Sequence, residues 1–127
     1  MTPAVAHTRE YLQGRLSEEL ARAKRYGTPF ALVTFEATES AGVSIRRKMK
    51  YALDEIAHTL RASDVVSLAF EDTIVVLLVQ TTLSDATAAL FRMRDRVARE
   101  NGGWNVATYA FPRDREAIEL LPLLTAA

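Results

Sequence analysis

The sequence predicts an α+β domain: a central, mostly antiparallel sheet flanked by helices. Two apolar runs, Val65 to Phe70 and Ile74 to Val79, flank the polar Glu71-Asp72-Thr73 and read as a hairpin. Two further runs, Phe30 to Phe35 and Trp104 to Phe111, have the composition of strands. Between and around them the apolar residues recur every three or four positions, the period of amphipathic helices. The resulting order is helix, strand, helix, hairpin, helix, strand, helix.

From Thr8 to Tyr26, Leu12, Leu16, Leu20 and Ala23 form one apolar stripe with charge between them, and Gly27, Thr28 and Pro29 stop that helix. The run FALVTF (30 to 35) lacks polar alternation, which suits a strand buried on both faces and central in its sheet. Glu36 to Gly42 is a polar loop. Ile45, Met49, Leu53, Ile56 and Leu60 define a second helix that ends near Arg61 and leads into the hairpin. A third helix runs from Leu83 to Glu100, with Thr82 or Ser84 as N-cap and Leu90, Met93 and Val97 on its buried stripe, and Asn101-Gly102-Gly103 ends it. Trp104 to Phe111 alternates as a strand, Pro112 breaks it, and Asp114 to Leu124 reads as a short closing helix.

With 127 residues the chain is expected to form a single domain over 1 to 127, with residues 1 to 7 as a flexible N-terminus. Such a domain buries about two-thirds of the surface its unfolded chain exposes. Sixteen basic residues balance sixteen acidic ones, so no overall field draws the molecule to DNA, RNA or an anionic membrane, and an anionic ligand must be captured locally. The absence of cysteine excludes disulfides, thiolate zinc sites and a cysteine nucleophile, and suits a reducing compartment. No segment has the form of a signal peptide or a membrane span, which predicts a cytoplasmic location without membrane insertion.

Few residues carry recognisable chemistry. His7 and His58 are the only histidines, so a multi-histidine metal site is excluded; His58 and Asp54, four apart, read as a hydrogen-bonded surface pair. No serine-based nucleophile motif, Walker motif or dinucleotide-binding glycine pattern is present. Arg46, Arg47, Lys48 and Lys50 crowd the first turns of the second helix, where the dipole disfavours cations, and read as a solvated basic face or as a surface for an acidic partner. Arg61 and Asp64, where a helix runs into a strand, allow two readings. They form a local ion pair, or together match guanine, Arg donating to O6 and N7 while Asp accepts from the ring N–H and amino group.

At these residues the sequence resembles the GGDEF domains of bacterial diguanylate cyclases. "RLSEELARAKRYGTPFALVTFE" (15 to 36) is similar to that family's entry helix and first strand. "LRASDVVSLAFEDTIVVLLVQT" (60 to 81) is similar to its RxxD motif, strand, signature hairpin and return strand, "ALFRMRDRV" (89 to 97) to the next helix and "WNVATYAFPRD" (104 to 114) to the last long strand. The resemblance implies a nucleotide-cyclase-like fold with a ferredoxin-like core, shortened after the first strand.

The same alignment implies a degenerate member. Phe70-Glu71-Asp72-Thr73-Ile74 stands where the family carries Gly-Gly-Asp-Glu-Phe, so the glycines that let backbone approach the GTP phosphates are Phe and Glu, and the metal-binding Glu is Thr73. The first-strand Phe-Asp-x-Asp appears as Phe35-Glu36-Ala37-Thr38, which keeps Glu36 as a ligand without its companion. The family's FKxxND and GHxxGD stretches are mostly absent after "ESAG" (39 to 42). Cyclisation needs metal ions held by several carboxylates and a triphosphate cradle, so the expectation is that the protein is not an enzyme and has no cofactor. A residual enzyme reading would use Glu36, Glu71 and Asp72 to bind one metal.

The family's product-binding inhibitory site is better retained. Arg61 and Asp64 match RxxD with its spacing to the hairpin, and Arg92 in "FRMR" falls at the additional arginine. The resemblance therefore implies a cyclic di-GMP receptor with Arg61, Asp64 and Arg92 as ligand-binding residues, signalling by ligand-dependent association as a homodimer or with a protein partner. Asp64 would accept from guanine N1–H and N2–H, and Arg61 and Arg92 would hold guanines or phosphates. The alternative is a nucleotide-independent scaffold for protein contacts, using the first helix, the basic Arg46 to Lys50 segment and Phe70 as an exposed anchor.

Overall fold

In the computed structural model, residues 6–38, 44–97 and 103–125 are described. The elements are β1 (Ala6–His7), α1 (Arg9–Tyr26), β2 (Phe30–Ala37), α2 (Ile45–Ala57), β3 (Val65–Phe70), β4 (Thr73–Val79), α3 (Leu83–Val97), β5 (Trp104–Phe111), α4 (Arg115–Glu119) and α5 (Pro122–Thr125). The strands form one sheet in the order β1-β3-β4-β2-β5, antiparallel except where β1 pairs parallel with β3.

β2 lies inside the sheet between β4 and β5, and both of its faces are covered. Ala31, Val33 and Phe35 pack with Met49, Ile56 and Met93 of α2 and α3. Phe30 and Leu32 share the opposite cluster with Leu12 and Leu16 of α1 and with Ile118 and Leu123 near the C-terminus. This two-sided burial explains why FALVTF is apolar throughout.

Local chemistry sets the helix ends. Thr8 Oγ1 accepts from Tyr11 N at 3.1 Å to cap α1, and Gly27 closes it at φ 73°, a left-handed conformation that costs glycine little. Ser44 Oγ accepts from Arg47 N at 3.3 Å at the start of α2. At α3, Thr82 takes the capping position of the two expected candidates, its hydroxyl accepting from Asp85 N at 3.2 Å.

Four expectations about element bounds need correction or limits. Ala6 and His7 belong to a strand paired with Val66 and Ser67 and are not part of a flexible terminus; the rest of that expectation, residues 1 to 5, lies outside the described residues. Glu36 and Ala37 extend β2 rather than opening the loop, because Glu36 still pairs with Thr73 and Asn105. α3 is described to Val97; the expected continuation to Glu100 and the stop at Asn101-Gly102 lie outside the described residues. Pro112, joined to Phe111 by a cis bond, ends β5 as expected, but the closing helix is two short ones separated at Leu120 and Leu121.

Phe70 is not an exposed anchor. The ladder shifts register between Leu68 and Phe70, a bulge that swings Phe70 onto the α1 side, where it is half-buried with the Arg9 guanidinium 4.5 Å from its ring centroid. The basic face of α2 divides in the same way. Lys48 is fully buried, donating to Gly103 O at 2.9 Å and lying 4.5 Å from the Trp104 ring centroid. Its methylene stem and ammonium therefore fasten α2 to the start of β5, while Arg46, Arg47 and Lys50 stay outside the core.

Candidate ligand-binding site

The end of α2, the turn into β3, the end of β4 and the first half of α3 meet at one corner of the sheet. Asp64 initiates β3 from a turn closed by its own N–H on Arg61 O at 3.0 Å, and it is only 4% exposed. Its Oδ2 accepts from Arg61 N at 3.0 Å and Arg61 Nε at 3.2 Å. Its Oδ1 accepts from Arg61 Nη2 at 3.0 Å and Val79 N at 3.3 Å. A carboxylate has about four lone-pair sites, so this one is saturated from within the chain.

Arg61 is the strap of this corner. Besides its side-on fork to Asp64, Nη2 donates to Val79 O at 2.6 Å and Thr81 Oγ1 at 2.9 Å. It thereby ties the turn before β3 to the end of β4, where Gln80 takes a φ of 47° and reverses the chain toward α3. The hydrogen bond to Asp64 raises the Arg61 pKa further above its ordinary value, against a smaller opposing effect of burial; Asp64 and Asp85 add attraction. The side chain is nevertheless 57% exposed, and its bonds within the chain run through Nε and Nη2.

All three residues expected from the sequence line one cavity of about 240 Å3: Arg61, Asp64 and Arg92, joined by Thr81, Asp85 and Ala89. Alanines 88 and 89 on α3 leave the space that Arg92 borders. Arg92 is exposed and forms no salt bridge with a described residue. Sequence reasoning missed Thr81, Asp85 and the Val79 peptide group. Thr81 and Asp85 sit in a stretch legible only as a helix start, and a backbone group carries no side-chain signal.

The saturation of Asp64 bears on its expected role. Accepting from guanine N1–H and N2–H would require release of the Arg61 fork or of Val79 N, so in this arrangement Asp64 orients Arg61 and the outward donors belong to Arg61 and Arg92.

A larger cavity, about 620 Å3, lies on the α1 side of the sheet between the hairpin and the C-terminal segment. Glu36, Asp72, Thr73 and Asn105 line it together with Phe70 and Leu121. Glu36 accepts from Asn105 Nδ2 at 3.4 Å, and Asp72 Oδ1 accepts from Thr73 Oγ1 at 2.9 Å. Glu71 is not among the lining residues, and the described residues contain no group of three or more His, Cys, Asp or Glu able to hold a metal ion. The donor set does not fit a two-metal centre. His58 and Asp54 form the expected hydrogen-bonded surface pair, His58 Nδ1 lying 2.6 Å from the backbone oxygen of Asp54. No helix among the described residues is long and apolar enough to cross a membrane.

No protein-family model matches the sequence, and neither does any curated protein. Solved structures do match. The chain superimposes on a diguanylate cyclase protein from Thermotoga maritima with a TM-score of 0.74 at 18% identity, covering 98% of this chain and 96% of that one. The GGDEF domain of DgcB from Caulobacter crescentus in complex with c-di-GMP gives a TM-score of 0.68 at 13% identity, over 91% of this chain and 77% of that one. Diguanylate cyclase SiaD from Pseudomonas aeruginosa, in complex with its activator SiaC, gives 0.68 at 23% identity, over 83% of this chain and 46% of that one. At these identities the likeness speaks for the fold, and the fold of this chain is that of the GGDEF cyclase-like domains.

Proposed function

We propose that the chain is a GGDEF-like domain without cyclase activity that receives cyclic di-GMP at the Arg61, Asp64 and Arg92 corner. The observation that carries the reading is the convergence of these residues, 31 positions apart at the extremes, on one cavity that α3 leaves open with small alanines. Arg61 is pre-ordered by Asp64, so little rotamer freedom is lost when its free edge meets a guanine or phosphate. Arg92 supplies a second fork suited to guanine O6 and N7 or to phosphate oxygens. The cavity is smaller than the roughly 300–1,000 Å3 of ordinary small-molecule sites. It would take one part of the dinucleotide and leave the rest to lie over the surface, where a second domain can engage it. Ligand-dependent association, as a homodimer or with a protein partner, would be the output.

The reading without catalysis rests on Phe70-Glu71-Asp72-Thr73-Ile74 at the hairpin and on the few carboxylates of the larger cavity. Calorimetry tests the receptor role: cyclic di-GMP binds the wild-type protein, and Arg61→Ala and Arg92→Ala each weaken it. No heat at micromolar ligand, or unchanged binding in both variants, rejects the proposal.

The scaffold reading keeps one supporting observation. Phe91, 65% exposed on α3 beside Arg92, is a large apolar side chain on the surface. A partner captured equally well by wild type and Arg61→Ala, with no response to nucleotide, would favour that reading.

A further inference from the structure

The two edges of the sheet are finished differently. At one edge β3 carries the short parallel strand β1 on Val66 and Ser67. At the other, no strand among the described residues pairs with the outer side of β5. The direction of its free groups follows from its end. Both backbone groups of Ala110 are taken by Asp114: Ala110 N donates to Asp114 Oδ2 at 2.9 Å, and Ala110 O accepts from Asp114 N at 2.7 Å. Ala110 therefore faces away from β2, and by the two-residue alternation of an antiparallel ladder so do the N–H and C=O of Trp104, Val106 and Thr108.

Natural sheets protect such edges with charge, proline or a bulge. From Trp104 to Phe111 this strand has no charged residue and no proline, and its pairing with β2 runs without a register shift. The geometry points to an interface with a second copy of this chain, the two β5 strands pairing antiparallel about Val106. That register places Val106 on its own symmetry mate and Trp104 opposite Thr108 of the second copy, a self-complementary arrangement with about six backbone hydrogen bonds and no like charges opposed.

The side chains favour the same occupant. Trp104 and Thr108 are both partly exposed. Pairing about Val106 makes these two residues cross-strand neighbours on one face, an aromatic beside a β-branched side chain. The interface needs no nucleotide. It lies at the sheet edge opposite β1, and none of its residues lines the Arg61 and Arg92 cavity.

Sedimentation equilibrium of the full chain without nucleotide, joined to amide hydrogen exchange, tests it. The protein is expected to sediment as a dimer, with the Val106 and Thr108 amides exchanging more slowly as concentration rises. Val106→Pro, which deletes an outward N–H, is expected to be a monomer with an unchanged far-UV spectrum, and Arg61→Ala to remain dimeric. A wild-type monomer at every concentration overturns the inference. So does a dimer whose Val106 and Thr108 amides exchange at the monomer's rate, an outcome readable even if the proline variant fails to fold.

Discussion

Arg61 and Asp64 meet side-on, Nε to Oδ2 and Nη2 to Oδ1 at 3.2 and 3.0 Å, with the carboxylate buried and the guanidinium half in solvent. A pair so placed has two jobs: the buried partner fixes the loop, and the exposed partner is held ready for something outside. The two residues should therefore behave differently on substitution.

Asp64→Ala strips the acceptors from Val79 N and Arg61 N as well as from the guanidinium. Leaving these groups unpaired at the end of two strands is expected to cost about 2–4 kcal/mol. Arg92→Ala, which removes an exposed side chain without an ion-pair partner among the described residues, should change stability by less than about 0.5 kcal/mol. Urea unfolding of the two variants checks the contrast.

A pH effect is expected at the far end of the sheet. The Asp114 carboxyl accepts from Arg113 and from Ala110 N, and these bonds lower its pKa below the ordinary 3.8 against a smaller opposing effect of burial. A lowered folded-state pKa means that the group contributes stability above about pH 4 and loses it as pH falls through the folded value. Asp114→Asn should flatten the acid limb of the stability curve below pH 4 relative to wild type, measured as the denaturant midpoint against pH. An acid limb as steep as wild type would show that other carboxylates carry it.

How much of this was legible in the sequence depended on the kind of signal. The β-branched run of β4 and the alternation of β5 announce strands because their side chains must satisfy sheet faces over seven or eight residues. The two-residue β1 is too short to carry any period, and the break between α4 and α5 hides among residues that all suit a helix. Lys48 read as a solvated cation because charge usually is; only the approach of Gly103, 55 residues away, and of its neighbour Trp104 gives it a buried berth. Arg61, Asp64 and Arg92 were legible through motif spacing. The saturation of Asp64 was not, since one of its donors is a backbone N–H fifteen residues downstream.

The larger cavity offers a third prediction. With Glu36 and Asp72 as its carboxylates among the described residues, and Phe70 beside them, it is expected neither to cradle a triphosphate nor to hold a metal pair. Millimolar magnesium should leave the melting temperature unchanged. Incubation with GTP and magnesium should yield no cyclic di-GMP by chromatography, and product formation would reverse this part of the account.

The most direct measurement is a calorimetric titration of cyclic di-GMP into wild type and Arg92→Ala, two proteins expected to be equally stable. Loss of one guanidinium fork at the ligand should cost about 1–3 kcal/mol, a roughly 5- to 150-fold weaker affinity. Wild type is expected to bind saturably and the variant to bind that much more weakly. Absent binding, or identical isotherms for the two proteins, would overturn the receptor reading.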